Sequence, residues 1–199
     1  MEIAKRLGLV SLASAALIFA STASIAGKPE NPGKPKFAEK IDATIAEFAT
    51  TASEEETPFD SNGADFDILL AALEATGVGA IFDGTDYTVF APNDQAFYDL
   101  TETSDDQAAF NAVVGLLGVA GVADVLAYHV AEGVRNSRSV TRAKQIEMLD
   151  GNTISGRTAS GLIKANFSEA GLLDVDNRLA DGMVHIIDTV LLPINPEEL

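Results

Sequence analysis

The 199-residue chain contains no cysteine and no tryptophan. Without cysteine there is no disulfide framework and no thiol nucleophile, so core burial alone must hold the fold. The only two histidines, His129 and His185, are not spaced as a helical metal-binding pair. No lysine or arginine occurs from residue 41 to residue 134, and the whole chain sets 13 Lys+Arg against 30 Asp+Glu, a formal net charge of −17. A protein this acidic repels nucleic acid and anionic lipid, which excludes both as partners. There is no Gly-x-Ser-x-Gly elbow and no phosphate-cradling glycine loop. Glu54-Glu-Glu56 are adjacent carboxylates that point apart, a poor acid/base dyad. Asp60-Ser-Asn-Gly-Ala-Asp65 starts like a calcium loop, but Asp65 replaces the glycine at the sixth position and Ala71 the glutamate at the twelfth. No catalytic residue, metal site or cofactor is therefore expected, and the chain reads as a non-enzyme.

What is present begins with a targeting pattern. Lys5 and Arg6 precede an apolar run over 7–20, and Ser24-Ile25-Ala26 follows as a small-x-small site. Residues 1–26 thus read as a secretory signal peptide, too short to span a bilayer comfortably, with cleavage after Ala26. Residues 27–37 are rich in Pro, Gly and Lys and read as a tether. The last residues, 192–199, carry no hydrophobic tail of the kind that precedes a GPI anchor. The expected product is secreted, periplasmic or at the cell surface, without stable membrane insertion. One domain over 38–196 accounts for the remainder, with no internal repeat.

Periodicity gives a mixed α and β reading. An opening helix is expected over 41–50. Asp65 is a candidate N-cap for a helix over 66–76, where Phe66, Leu69, Leu70 and Leu73 share a stripe and Gly77 ends it. A strand over 87–90 precedes Pro92, and Asn93 or Asp94 can cap the short helix beyond. Ser104-Asp-Asp-Gln107 forms a capping box for a helix to 117, separated by Gly118 and Gly121 from a second over 122–129. Short strands are expected over 145–149, 153–154, 162–166 and 172–175, with tight turns at Asp150-Gly151 and Asp181-Gly182. The apolar segment 184–192 reads as the strongest strand, covered on both faces. Residues 108–130 are apolar nearly all round, which marks core, with a groove for an apolar ligand as the alternative.

Three motifs in order resemble the signature of the fasciclin domain. They are Thr88-Val-Phe-Ala-Pro-Asn-Asp-Gln-Ala-Phe97, then Tyr128-His129-Val130, then Asp181-Gly182 through Val184-His-Ile-Ile-Asp-Thr-Val-Leu-Leu-Pro193. The resemblance implies an α+β fold, a compact β-strand wedge or sandwich packed against several α-helices. It also implies cell adhesion or extracellular-matrix interaction as the activity. Integrin-binding members carry an Asp-Ile pair where this chain has Asp176-Asn177, and no Arg-Gly-Asp occurs; integrin binding is not carried over. Some soluble members bind carotenoids, so a carrier of a carotenoid or lipid is the rival reading.

The residue roles expected from these patterns divide into two groups. Thr88, Asn93, His129, His185 and Asp188 are assigned to holding the fold. His129 lies on the inward stripe of its helix, and Asp188 alternates onto the buried face of the last strand, where it would staple to the free N–H groups after Pro92. Tyr128, rigid and amphipathic, is the expected surface contact. Arg135, Arg138 and Arg142 form the expected contact patch for a cell-surface or matrix protein or an acidic glycan, or for the acidic half of another copy in self-association.

Overall fold

The computed structural model describes residues 42–52, 59, 61–82 and 85–195. The expected signal peptide, the tether, and Ile41 of the expected opening helix lie outside these residues. The fold is α+β, and its organising element is a four-stranded sheet with strand order β2-β1-β8-β7. Strand β1 (Tyr87–Pro92) pairs in parallel with β8 (Gly182–Ile187), which lies some ninety residues further along the chain, and antiparallel with β2 (Val130–Glu132). Strand β7 (Leu172–Leu179) closes the sheet antiparallel to β8. A parallel central pair is covered on both faces, which is why β1 and β8 are nearly continuous apolar runs.

The sheet separates two cores. Val89, Ala91, Val130 and Val184 face a helical layer, with Phe66, Leu69, Val113, Val125 and Leu126 among its buried members. Phe90, Ala131 and Ile187 face the other way, onto Ile146, Ile154 and Ile163. Those isoleucines come from two small ribbons, β3 (Ile146–Glu147) with β4 (Thr153–Ile154) and β5 (Ile163–Lys164) with β6 (Glu169–Ala170), which a Ser155–Lys164 bridge joins. Phe90, Ile154 and Ile187 have almost no exposed surface, and each such side chain contributes about 1.5–3 kcal/mol.

The helical layer comprises α1 (Ile45–Ala52), α2 (Asp67–Thr76), a 3-10 turn (Val78–Ile81), α3 (Asp94–Thr101) and α4 (Asp106–Ala127). Gly77 ends α2 in the left-handed region, and Asn93 caps α3 by accepting from the Ala96 N–H at 3.2 Å. Helix α4 is kinked at Gly118, whose φ of 67° and ψ of 167° lie outside the helical region. A short α5 (Ser137–Val140) lies between β2 and β3.

Several elements differ from expectation for local reasons. Asp65 does not cap α2; the N–H groups of Asp67 and Ile68 are taken by the carboxyl of Asp94, from the start of α3, at 2.9 and 3.1 Å. Asp105, not Ser104, caps α4, accepting from Ala108 N–H at 2.8 Å. A carboxylate suits the positive helix end better than a hydroxyl does, and this start also buries Asp106, which accepts from the Tyr98 hydroxyl. Strand β7 runs to Leu179, with an irregular register around Asp174 and a positive φ at Asp176. The β7–β8 turn is Ala180-Asp181, so Gly182 already belongs to β8. Strand β8 ends at Ile187, and so the alternation that would bury Asp188 does not reach it.

Glycine is required at 182 by close approach. A Cβ there would overlap the Tyr87 carbonyl and stand 2.7 Å from Ile45 Cδ1. Gly182→Ala should cost about 1–3 kcal/mol through overpacking of the β1–β8 seam, read as a lower denaturant midpoint with an unchanged slope. Gly79→Ala, with nothing within 4 Å of the added carbon, should stay within about 0.5 kcal/mol of the parent.

Candidate functional site

Tyr128 and His129 follow directly on α4 and straddle the sheet. Helical geometry stops at Tyr128, and His129 is carried into the turn before β2. His129 is buried, with Nδ1 2.7 Å from the Val125 carbonyl and Nε2 accepting the Leu191 N–H at 2.9 Å. A carbonyl only accepts, so Nδ1 carries the proton and the ring is neutral. Burial depresses its pKa to about 4 against the opposing pull of Val125. The ring thus ties the end of α4 to the segment after β8.

Tyr128 is not a surface residue. It is completely buried in the second core; its hydroxyl donates to the Thr153 carbonyl at 3.1 Å and accepts the Asn166 N–H at 3.1 Å. Burial pushes the phenol pKa up, while the Asn166 contact pulls it down. The expected contact through Tyr128 is therefore corrected. The helical wheel placed it outward, but the chain leaves the helix at that residue and the ring turns beneath the small ribbons.

Asp188 is corrected as well. It is exposed and accepts from Gly171 N–H at 2.7 Å and from the Thr189 hydroxyl at 2.9 Å, fastening β8 to the start of β7. The role expected of it, joining distant segments through a helix N-terminus, falls to Asp94. The sequence marked Asp94 only as a cap candidate for α3; its service to α2 comes from the tertiary packing. Asn93 turns its side chain inward to its own helix, which leaves Asp94 to serve α2.

Thr88 and His185 organise the far face of the sheet. The Thr88 hydroxyl donates to the Gly133 carbonyl at 2.6 Å and accepts Arg135 N–H at 2.8 Å. His185 stacks on Phe90 with ring centroids 5.7 Å apart. Its Nε2 donates to the Arg135 carbonyl at 2.8 Å, and its Nδ1 accepts Asp176 N–H at 3.2 Å. Burial lowers its pKa. His185 is thus the neutral tautomer opposite to that of His129.

These contacts press residues 133–137 against the sheet and define a basic edge. Asp176 accepts from the Ser137 N–H at 2.6 Å and the Ser137 hydroxyl at 2.8 Å, anchoring the start of α5, while Asn136 caps it through Ser139 N–H at 2.8 Å. Arg138 and Arg142 are exposed on this braced segment, but Arg135 is half-buried, and its Nε has no partner among the described residues. The structure adds two cations to the edge. Lys144 is exposed, and so is Arg157, whose backbone N–H donates to Ala143 at 2.9 Å. Arg157 is remote in sequence; backbone bonds from Gly156 and Arg157 to Ala143, with Gly156 packed closely on Val140, bring it here.

Helix α4 buries one stripe only. Ala109, Val113, Val122, Val125 and Leu126 are buried, whereas Leu116 and Val119 at the kink are 59% and 49% exposed. The expectation that residues 108–130 are core on all sides is corrected accordingly. By length and composition alone α4 could cross a membrane, yet its buried stripe belongs to the helical core. Two small apolar cavities flank Leu126 and His129, one toward Phe110 and Leu117, the other toward Phe66 and Leu73. Among the described residues, no group of three or more His, Asp or Glu is placed to hold a metal ion.

This architecture has counterparts. The Fasciclin domain family model matches residues 64–193, and the chain belongs to that family, a non-enzymatic class of commonly adhesion-related, protein-interacting modules. The chain is 27% identical over 129 residues to the transforming growth factor-beta-induced protein ig-h3 of Sus scrofa, across 64% of this chain and 18% of that protein. It is 26% identical over 152 residues to Protein sll1483 of Synechocystis sp. (strain ATCC 27184 / PCC 6803 / Kazusa), across 76% of this chain and 80% of that one. A solved FAS1 domain pair from the insect cell adhesion molecule Fasciclin I has a similar fold, with a TM-score of 0.55 at 13% identity, covering 75% of this chain and 51% of that one.

His129→Ala should lower stability by about 2 kcal/mol or more, since it orphans Leu191 N–H and opens space between the two cavities. Tyr128→Phe, which removes a hydroxyl with two partners, should cost about 1–2 kcal/mol. Chemical denaturation checks both, and unchanged midpoints would contradict the assignment of this pair to the interior.

Proposed function

We propose that the protein is an exported, noncovalent interaction module for a cell-surface or matrix partner, working through its basic edge. The reading includes a signal peptide over 1–26 and a tether over 27–37 that gives the domain over 38–196 its reach. The observation that carries it is the exposed set Arg138, Arg142, Lys144 and Arg157 on a braced scaffold, in a chain of net charge −17. Cations gathered on one edge attract an anionic surface at close range, while the acidic remainder repels it elsewhere and fixes orientation. An acidic glycan or an acidic protein surface is the matching partner, and the acidic half of a second copy would satisfy the same chemistry. Family membership supports an adhesion-type role, and the insect structure comes from a cell adhesion molecule. Tyr128 has no part in this contact, being buried.

A carrier of a carotenoid or lipid is the second reading, favoured by the two apolar cavities against Leu126 and His129. Their walls are the core itself, so a sizeable ligand must part α2 from α4 to enter.

Arg138→Glu/Arg142→Glu should weaken retention on an immobilised sulfated glycan by about tenfold or more at low salt, because each reversal replaces an attraction with a repulsion. The double variant should melt as the parent does, both side chains being exposed. Undiminished binding would sink the basic-edge reading. Protein taken gently from its own host should give an organic extract free of pigment and lipid, and a stoichiometric ligand there would favour the carrier.

A further inference from the structure

One corner of the sheet holds two arginines whose donors are incompletely matched. Strand register sets Arg178 of β7 beside Met183 of β8, and Met183 beside Thr88 of β1. Alternation places Asp86, just before β1, on the same face as Thr88. Arg178 reaches across β8 to that residue, its Nη2 3.9 Å from Asp86 Oδ1. The loop after β2 folds onto the same corner. Gly133 N–H donates to the Asp86 carbonyl at 2.8 Å, and Arg135 N–H donates to the Thr88 hydroxyl. Segments remote in sequence thus deliver Arg135 and Arg178 to one place.

Neither guanidinium is satisfied there. Arg135 Nε and Arg178 Nη1 are buried, and neither has a hydrogen-bond partner among the described residues. A buried donor left unmatched costs free energy, more so when it is charged. The acids of β7 do not serve them. Asp174 accepts from Val175 N–H and the Asn177 amide, and Asp176 accepts from the N–H and hydroxyl of Ser137. Among the described residues only Asp86 pairs with either arginine, and at 3.9 Å that exposed carboxylate makes a loose ion pair.

A planar guanidinium presents its N–H groups as a fork that fits an oxyanion. Both arginines are half-buried, so each also keeps a face to solvent, from which an anion can enter as Asp86 swings aside. Arg135 leads straight into α5 and the exposed Arg138 and Arg142, which makes this corner the inner end of the basic edge. We propose that Arg135 and Arg178 form a subsite for one tetrahedral oxyanion, with Asp86 as its displaceable stand-in. Resting on the glycan reading of the basic edge, the group supplied there is a sulfate ester. The exposed cations attract the anionic chain from a distance, and the inner pair fixes one sulfate.

Titration of the full chain with inorganic sulfate at constant ionic strength, followed through arginine side-chain N–H signals by 15N NMR, tests the subsite. Saturable shifts at Arg135 and Arg178 are expected, and Arg178→Lys, which keeps the charge but loses the fork, should abolish them at Arg135. Asp86→Asn, which removes the competing carboxylate, should tighten sulfate binding severalfold. The absence of a saturable shift in the parent, or equal shifts at Arg135 in parent and Arg178→Lys, overturns the subsite. If Arg178→Lys does not fold, Asp86→Asn decides: tighter binding supports the subsite, and unchanged or weaker binding overturns it. Retention on an immobilised sulfated glycan should fall about tenfold in Arg178→Lys. Retention that is lost in Arg138→Glu/Arg142→Glu but unchanged in Arg178→Lys leaves the basic edge standing and overturns the subsite. Sulfate bound at the pair without glycan retention supports the subsite and contradicts only the glycan reading.

Discussion

The parallel pairing of β1 with β8 is the constraint on which the rest depends. It joins segments on either side of a long insertion, so neither strand is covered until the intervening chain has folded over both faces. The helices supply one cover and the small ribbons the other, and the two cores share no side chain across the sheet. The signature residues sit along this seam. Thr88 and His185 hold the loop after β2, His129 holds the segment beyond β8, and Gly182 lets the two backbones close.

Much of this was legible where local chemistry decides. Asn93 and Gly77 mark helix ends because a side-chain acceptor and a left-handed residue are needed at those places. Strand β4 falls where the sequence places it. Tyr128 and Asp188 were misplaced because the expected helix and strand were carried to 129 and 192, past Ala127 and Ile187 where the elements end. The capping of α2 by Asp94 and the arrival of Arg157 at the basic edge are tertiary facts with no local signature. Likewise β2, β6 and α5 are too short for periodicity to reveal; α5 stands because Asp176 and Asn136 cap it.

Internal support and exposed positive charge are thus separated in this chain. The Tyr128-His129 pair, which a sequence reading divides into a contact and a support, is wholly interior. The exposed chemistry lies on the far side of the sheet, where backbone contacts from Thr88 and His185 hold the basic segment in place. The acidity of the rest has two expressions. On the surface it is charge that repels; at the helix starts buried carboxyls join elements, Asp94 of α3 holding the first N–H groups of α2 and Asp106 of α4 the Tyr98 hydroxyl of α3.

The account's central claim is that His129 is an internal joint, neutral because one nitrogen donates to Val125 and the other accepts from Leu191. The direct measurement is a 15N ring-shift titration of His129 by NMR. The account predicts a single neutral tautomer, protonated at Nδ1, persisting until the pH falls to about 4. A ring that exchanges between tautomers and titrates near the ordinary histidine value of about 6.5 would show that it is open to solvent. That result would remove the joint on which this description of the seam rests.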